Sequence, residues 1–344
     1  MLVLGKTAVS IIASYKAVKS GYQVTVMAPT AILVKQHLKN FKNLLDNFNI
    51  KCEFLVSGMP KKQKEDVLQE LKNGEIDVII GTHSLLEENV IFKNLGLVIT
   101  DEQHRFGVRQ RSIINNKGKN PDVLVMSATP IPRTLALILY GDLDISIIDE
   151  LPPNRKTIDT FAVTKEMKDR VNNFIKKQLE EGRQAYIVCP LVEESEEIEA
   201  KAVLDVYKEY KEIFSEYRVE YIHGKLKPKE KDEIMQEFKE GKIKVLVSTT
   251  VIEVGVDVPN SNIMVIENAE RFGLATLHQL RGRVGRGEYK SYCILKYEGK
   301  GKNTKERMKI MCDTNNGFII SEKDLELRGS GEFFGTKQHR YSRI

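Results

Sequence analysis

The sequence contains no tryptophan and only four cysteines among its 344 residues. The missing tryptophan decides nothing, but the cysteines do. Cys52, Cys189, Cys293 and Cys312 lie far apart, and no Cys-x-x-Cys pair occurs. That spacing argues against a disulfide framework and against a cysteine-based metal site, and makes reducing cytoplasm the expected compartment. Long apolar runs are also missing. No stretch reaches the roughly 20 residues of a membrane span, and no signal-peptide pattern opens the chain. Net charge is low: 53 basic residues against 48 acidic ones leave only +5. A field that small neither demands nor excludes a nucleic-acid partner, so any basic groove would have to be local.

What remains is a globular composition, 41% apolar and 29% charged. The length exceeds one ordinary domain and suggests two. The chain is organised around Leu95 to His104. An apolar run ends in Asp101 and Glu102, as when a buried parallel strand delivers acids to the rim of an α/β sheet. An NTPase uses such a pair: one carboxylate holds Mg2+, and its neighbour orients or deprotonates the attacking water. Solvated acids at a strand end would read the same way.

Strand and helix patterns alternate on both sides of this stretch. Gly5-Lys6-Thr7 opens a helical pattern as the end of a phosphate loop would. The loop's first glycine would fall one place before Met1, and Val3 and Leu4 would occupy loop positions. Strands follow at Gln23–Met27, Lys51–Leu55, Asp77–Gly81 and Val123–Met126, with a charged helix over Lys61–Asn73 closed by Gly74. Asp149–Arg155 carries two prolines and no periodicity, so it reads as a linker. The alternation then restarts, with strands at Gln184–Cys189, Val219–Ile222, Lys244–Ser248 and Asn262–Glu267 and an amphipathic helix over Lys229–Glu240. From about Gly299 the pattern turns Lys- and Gly-rich and then helical, over Lys305–Asp313. This order predicts α/β architecture: two tandem parallel-sheet lobes with helices on both faces and a short helical C-terminal tail.

The most specific motif is Gln279-Leu280-Arg281-Gly282-Arg283-Val284-Gly285-Arg286-Gly287. Guanidinium forks bind phosphate bidentately, and interleaved glycines let backbones approach. With its leading Gln, the run resembles the closing motif of superfamily 2 helicases. Other stretches resemble that superfamily's remaining motifs. Asp101-Glu102-Gln103-His104 is similar to the Walker B box, and Ser127-Ala128-Thr129-Pro130 to the motif coupling hydrolysis to strand movement. Ala28-Pro29-Thr30, Gly81-Thr82-His83 and Thr249 to Asp257 resemble the phosphate-contacting motifs. Pro130 to Leu135, Tyr140 to Asp144, Glu270 to Leu274 and the tail Glu322 to Gly329 narrow the resemblance to the RecG family. The transcription–repair coupling factor shares the tail but fits less well between the lobes, and the tail also disfavours an RNA helicase.

The resemblance covers essentially the whole chain and carries expectations. The lobes are RecA-like, over 1–148 and 158–298, with 149–157 as linker and 299–344 as a translocation-motif tail. ATP and Mg2+ are the cofactors. Gly5, Lys6, Thr7 and Asp257 bind nucleotide, with Thr7 and Asp101 on the metal. Asp101, Glu102, Gln279, Arg283 and Arg286 are the catalytic set, the acids facing the two arginine fingers across a cleft. His104, Ser127, Ala128 and Thr129 couple hydrolysis to movement. Thr30, Thr82, Thr249 and Arg328 contact DNA. The expected partner is branched or duplex DNA, engaged by a monomer without a membrane, with replication and repair proteins as further partners. RecG-type helicases also carry an N-terminal wedge domain and an adenine-contacting segment, neither of which is in this sequence. His339-Arg340 stands where a small Ser-Gly is expected. The chain is therefore expected to be a motor portion. Two readings stay open: an ATP-driven DNA translocase, and a truncated, non-hydrolysing remnant that at most binds DNA or protein.

Overall fold

The computed structural model describes residues 3–102, 106, 108–127, 143–148, 156–190, 196–249, 258–285, 287–299 and 301–328. The chain divides into two compact units. Each is built on one sheet whose strand pairs all run parallel. Among the described residues, no helix is long and apolar enough to cross a membrane.

The first unit begins with helix α1 (Val3–Lys19), followed by strand β1 (Gln23–Met27) and α2 (Ala31–Leu45). Then come β2 (Cys52–Leu55), α3 (Lys61–Asn73), β3 (Val78–Gly81), β4 (Leu95–Asp101), α4 (Val108–Asn115) and β5 (Asp122–Met126). The sheet order is β2-β3-β1-β4-β5, which places β1 at the centre, directly beside β4. Strands β1 and β3 are buried along their whole length, as parallel strands covered on both faces must be. Side chains alternate across the sheet. Val24, Val26, Leu97 and Ile99 pack with Leu33, Val34, Phe41 and Leu45 of α2 and with Ile11 of α1. Met27, Ile79 and Val98 pack on the other face with Val67 and Leu71 of α3. Thr30 caps α2 by accepting a hydrogen bond from the Leu33 amide at 3.3 Å. Gly74 ends α3 in a left-handed conformation, φ +79°, where glycine carries no Cβ penalty.

The second unit comprises β6 (Ile158–Val163), α5 (Lys168–Glu180), β7 (Gln184–Val188), α6 (Glu196–Ile213), β8 (Val219–Ile222), α7 (Pro228–Lys239), β9 (Val245–Ser248) and β10 (Ser261–Ile266). It continues with α8 (Leu274–Arg281), β11 (Ser291–Lys296), α9 (Lys302–Asp313) and α10 (Gly317–Arg328). The order β6-β11-β10-β7-β9-β8 again buries the central strands. The helices after residue 300 pack onto this unit: α9 on β6 and α8, and α10 on α8 and α9.

The two units share one device. Gln23 begins β1, and its amide nitrogen donates to the Leu71 carbonyl at 2.9 Å and the Ile76 carbonyl at 2.8 Å. Gln184 begins β7 and donates to the Phe238 carbonyl at 2.5 Å and the Ile243 carbonyl at 2.8 Å. In each unit a buried glutamine ties the end of a helix to the strand that follows it. A buried amide is tolerable only when its polar atoms are matched in this way.

Three features depart from the sequence reading. Val3 and Leu4 belong to the first turn of α1, not to a loop. Valine and leucine are tolerated in a helix, and Gly5 is the lone glycine there, so no residue type in this turn breaks a helix. The terminal strands β6 and β11 of the second unit and the long helix α6 were not identified as elements. Phe161 in β6 is half exposed, and the acidic start of α6 reads as a solvated segment.

Candidate active site

Pleat parity decides where the acids of β4 go. Asp101 shares the face of Leu97 and Ile99, which α1 and α2 cover. Lys6 from the first turns of α1 lies with its Nζ 3.7 Å from Asp101 Oδ1 and 3.7 Å from Glu102 Oε1. All three side chains are largely removed from solvent. These distances make an ion-pair cluster without a direct hydrogen bond. Thr7 is buried one residue further on, in a stripe with Ser10, Ile11 and Ser14 that faces the sheet. Gly5 sits in the helix's first turn, against the Ile148 side chain.

Asp101 is held on every side. Its Oδ1 accepts the Glu102 backbone N–H at 3.0 Å. Its Oδ2 lies 3.0 Å from His37 Nε2. Burial alone would push the Asp101 carboxyl up. The His37 hydrogen bond, the Lys6 ammonium and the Glu102 amide outweigh it and hold the group below its ordinary value. Glu102 is a non-glycine residue in the left-handed region, φ +51°. Such a conformation costs on the order of 1–3 kcal/mol and clusters at functional sites.

His37 was not among the residues singled out in the sequence, although a signal existed. The buried stripe of α2 reads Leu33, Val34, His37, Phe41 and Leu45. A lone polar residue at core spacing needs a buried partner, and Asp101 is that partner.

In the second unit the arginine motif splits by role. Arg281 is 2% exposed. It donates to the Met311 carbonyl at 2.7 Å, the Thr314 carbonyl at 3.0 Å and the Thr160 hydroxyl at 3.2 Å. Its other nitrogen lies 3.0 Å from His278 Nδ1. Burial draws its pKa down, yet a guanidinium stays charged. The alternation of arginines groups Arg281 with the phosphate-binding residues, but the fold turns it inward to hold the end of α9. Burial and Arg281 together bring the His278 pKa down to about 3, so the imidazole is neutral. Gln279 is partly exposed on α8, and Arg283 is partly exposed in the turn just after it. Gly285 takes φ +80°, and a Cβ on Gly287 would run into the Pro259 carbonyl. The motif's glycines thus serve a tight turn and a close backbone approach.

The remaining expected residues are spread along the strand ends. Thr30 is partly exposed and uses its hydroxyl as the α2 cap. Thr82 is buried, with its Oγ1 3.4 Å from Ser84 Oγ. Thr249 is fully buried, and its hydroxyl has no hydrogen-bond partner among the described residues. Ser127 lies half buried just past β5. Arg328 ends α10, its side chain outside the description. His104, Ala128, Thr129, Asp257, Arg286 and the 149–155 linker lie outside the described residues.

A nucleotide-bound Mg2+ fits the first-unit cluster on its donor chemistry. Among the described residues no group of three or more His, Cys, Asp or Glu could cage a metal. Mg2+ usually takes one or two protein oxygens and completes its shell with water and phosphate. Asp101, kept ionised in a largely buried site, supplies such an oxygen.

Comparisons with known proteins agree with this layout. Residues 4–138 match the DEAD/DEAH box helicase family, and residues 166–288 match the helicase conserved C-terminal domain. An ATP-dependent DNA helicase RecG from Bacillus subtilis is 53% identical over 97% of this chain and 49% of its own length. The RecG of Thermotoga maritima is 51% identical over 98% of this chain and 44% of its own length. A solved structure of RecG bound to a three-way DNA junction superposes with a TM-score of 0.81 at 46% identity, covering 96% of this chain and 43% of that one. The chain thus spans about half the length of the relatives it matches. Both sheets are of the RecA-like helicase type. With half its residues identical over nearly its whole length, and with both helicase domains in order, the chain is similar to the RecG helicases throughout.

Proposed function

We propose that this chain is an ATP-driven DNA motor that remodels branched DNA such as forks and junctions, acting in the cytoplasm in recombination and repair. The observation that carries the reading is the buried Lys6–Asp101–Glu102 cluster, with Glu102 held in the left-handed conformation. The similarity to RecG helicases and a relative's three-way-junction complex support DNA as the partner. We assign 1–148 and 158–298 as the two motor lobes, 149–157 as their connection and 299–344 as the translocation-motif tail.

In this mechanism Lys6 exchanges its two carboxylate partners for the β- and γ-phosphate oxygens. Thr7 and Asp101 would hold Mg2+, which neutralises charge on those phosphates. Glu102 orients a water molecule and accepts its proton as the water oxygen bonds to the γ-phosphorus. The bond from that phosphorus to the bridging oxygen then breaks, and ADP leaves with the electron pair. Arg283 and Arg286 stabilise the charge on the transferred group, Gln279 helps place the water, and Asp257 contacts the nucleotide. Ser127, Ala128, Thr129 and His104 couple hydrolysis to movement. Thr30, Thr82, Thr249 and Arg328 hold the DNA backbone, in a monomer that can also meet replication and repair proteins.

The test uses ATP turnover with Mg2+ and a branched DNA. Glu102→Gln should abolish turnover and leave nucleotide binding measurable. Unchanged turnover in that variant would remove Glu102 from the mechanism.

A further inference from the structure

His37 carries more than packing requires. Its side chain is about 4% exposed and lies within the apolar stripe of α2. Its Nε2 lies 3.0 Å from Asp101 Oδ2. An ionised carboxylate only accepts, so Nε2 carries the hydrogen of this bond. Among the described residues, the ring's buried Nδ1 has no hydrogen-bond partner, a cost no apolar residue at this position would incur. The ring stands nearly edge-on to Phe41 one helical turn later, at 6.4 Å between centroids and 82° between planes. Packing therefore fixes the ring, and the ring fixes the carboxylate. Oδ2 is taken by His37, and Oδ1 is left toward the Glu102 amide and Lys6.

We propose that His37 is a positioning residue for the nucleotide-bound cation: its Nε2–H locks the Asp101 carboxylate in the rotamer that presents Oδ1 to Mg2+. The proposal rests on the reading of Asp101 as a metal ligand. Without the donor, the carboxylate is free to turn about its Cβ–Cγ bond, and its buried Oδ2 is stranded. Outer-shell partners of metal ligands typically change metal affinity ten- to a hundredfold when removed.

The experiment is a Mg2+ titration of fluorescent ATP-analogue binding to the full chain. His37→Leu fills the pocket without a donor. It should raise the Mg2+ concentration for half-maximal binding roughly tenfold while leaving metal-free nucleotide affinity unchanged. His37→Gln places an amide nitrogen near the position of Nε2 and should restore most of the loss. An unchanged Mg2+ dependence in His37→Leu overturns the proposal. So does a His37→Gln as impaired as His37→Leu when both melt like the unmodified chain. The 15N spectrum of nucleotide-free protein gives a check that needs no variant and no metal: His37 should be the Nε2–H tautomer, and an Nδ1–H tautomer refutes the hydrogen bond itself. If the unmodified chain shows no Mg2+-dependent nucleotide binding, the metal-ligand reading of Asp101 falls and this proposal with it, whatever the tautomer.

Discussion

Replacing Arg281 by Met tests whether the arginine motif is partly a structural clamp. The change keeps an unbranched stem and removes the donors. It strands the Met311 and Thr314 carbonyls, the Thr160 hydroxyl and His278 Nδ1. Each stranded buried acceptor costs about 1–3 kcal/mol. These costs do not simply add, because the sites share one side chain and the mutant recovers the desolvation of a guanidinium. A net loss of about 3–5 kcal/mol is expected, the range for breaking a buried charged network. Arg281→Lys keeps the charge but not the fork, so it should lose roughly half as much. Urea unfolding of the full chain, followed by circular dichroism, reads this out as an earlier transition of the second unit with the first unchanged. Hydrogen exchange should rise over 302–328, where α9 and α10 are held. A loss below about 1 kcal/mol in Arg281→Met, or protection of α9 and α10 left intact, would refute the clamp and return Arg281 to the phosphate-binding set.

Other variants probe the chemistry and the core. Arg286→Ala should lower kcat by roughly 10³–10⁵ if it stabilises the transferred phosphoryl group; weaker DNA binding with kcat intact would make it a backbone anchor instead. His278 has a folded pKa near 3 and an unfolded one near 6.5. Its contribution is therefore present above about pH 6.5 and lost as pH falls, by about 2 kcal/mol at pH 5. His278→Asn should flatten that slope between pH 7 and pH 5 in urea titrations, and an equal slope in both proteins would refute the assignment. Gln23→Leu removes donors to Leu71 and Ile76 and an acceptor for the Lys93 and Asn94 amides. Thermal unfolding should show a loss of about 2–4 kcal/mol, and a stable variant would show that water replaces the amide.

Legibility in the sequence followed the range of the interaction. The acids of β4, the Gly74 cap of α3 and the glycines of the arginine motif rest on local patterns, and each was readable within a few residues. So were most strands, because parallel strands buried on both faces are plain apolar runs. The edge strand β6 escaped notice because half-exposed Phe161 and the polar residues around it break the run. Glu102's left-handed backbone was not legible, since nothing in Asp101-Glu102 marks a turn of that kind.

The two residues that most change the picture of the site, His37 and Arg281, failed for one reason. Each sits in a buried helical stripe, His37 among apolar residues and Arg281 beside His278, and each finds its partner far along the chain: His37 is 64 residues from Asp101, and Arg281 is 30 from Met311. The stripe itself shows that a polar group is buried, and burial demands a partner. Only the strand order names which one. Once β4 is known to lie beside β1, pleat parity turns Asp101 toward the helices that cover Leu97 and Ile99, and His37 is the one histidine in the stripe it meets. A polar residue at core spacing is thus a readable prediction of a tertiary hydrogen bond before the fold is known. In both units that bond fastens a residue of the quoted sequence motifs to the scaffold, Asp101 in the first and Arg281 in the second, so these buried polar positions mark where the motifs are anchored and are not noise in the core.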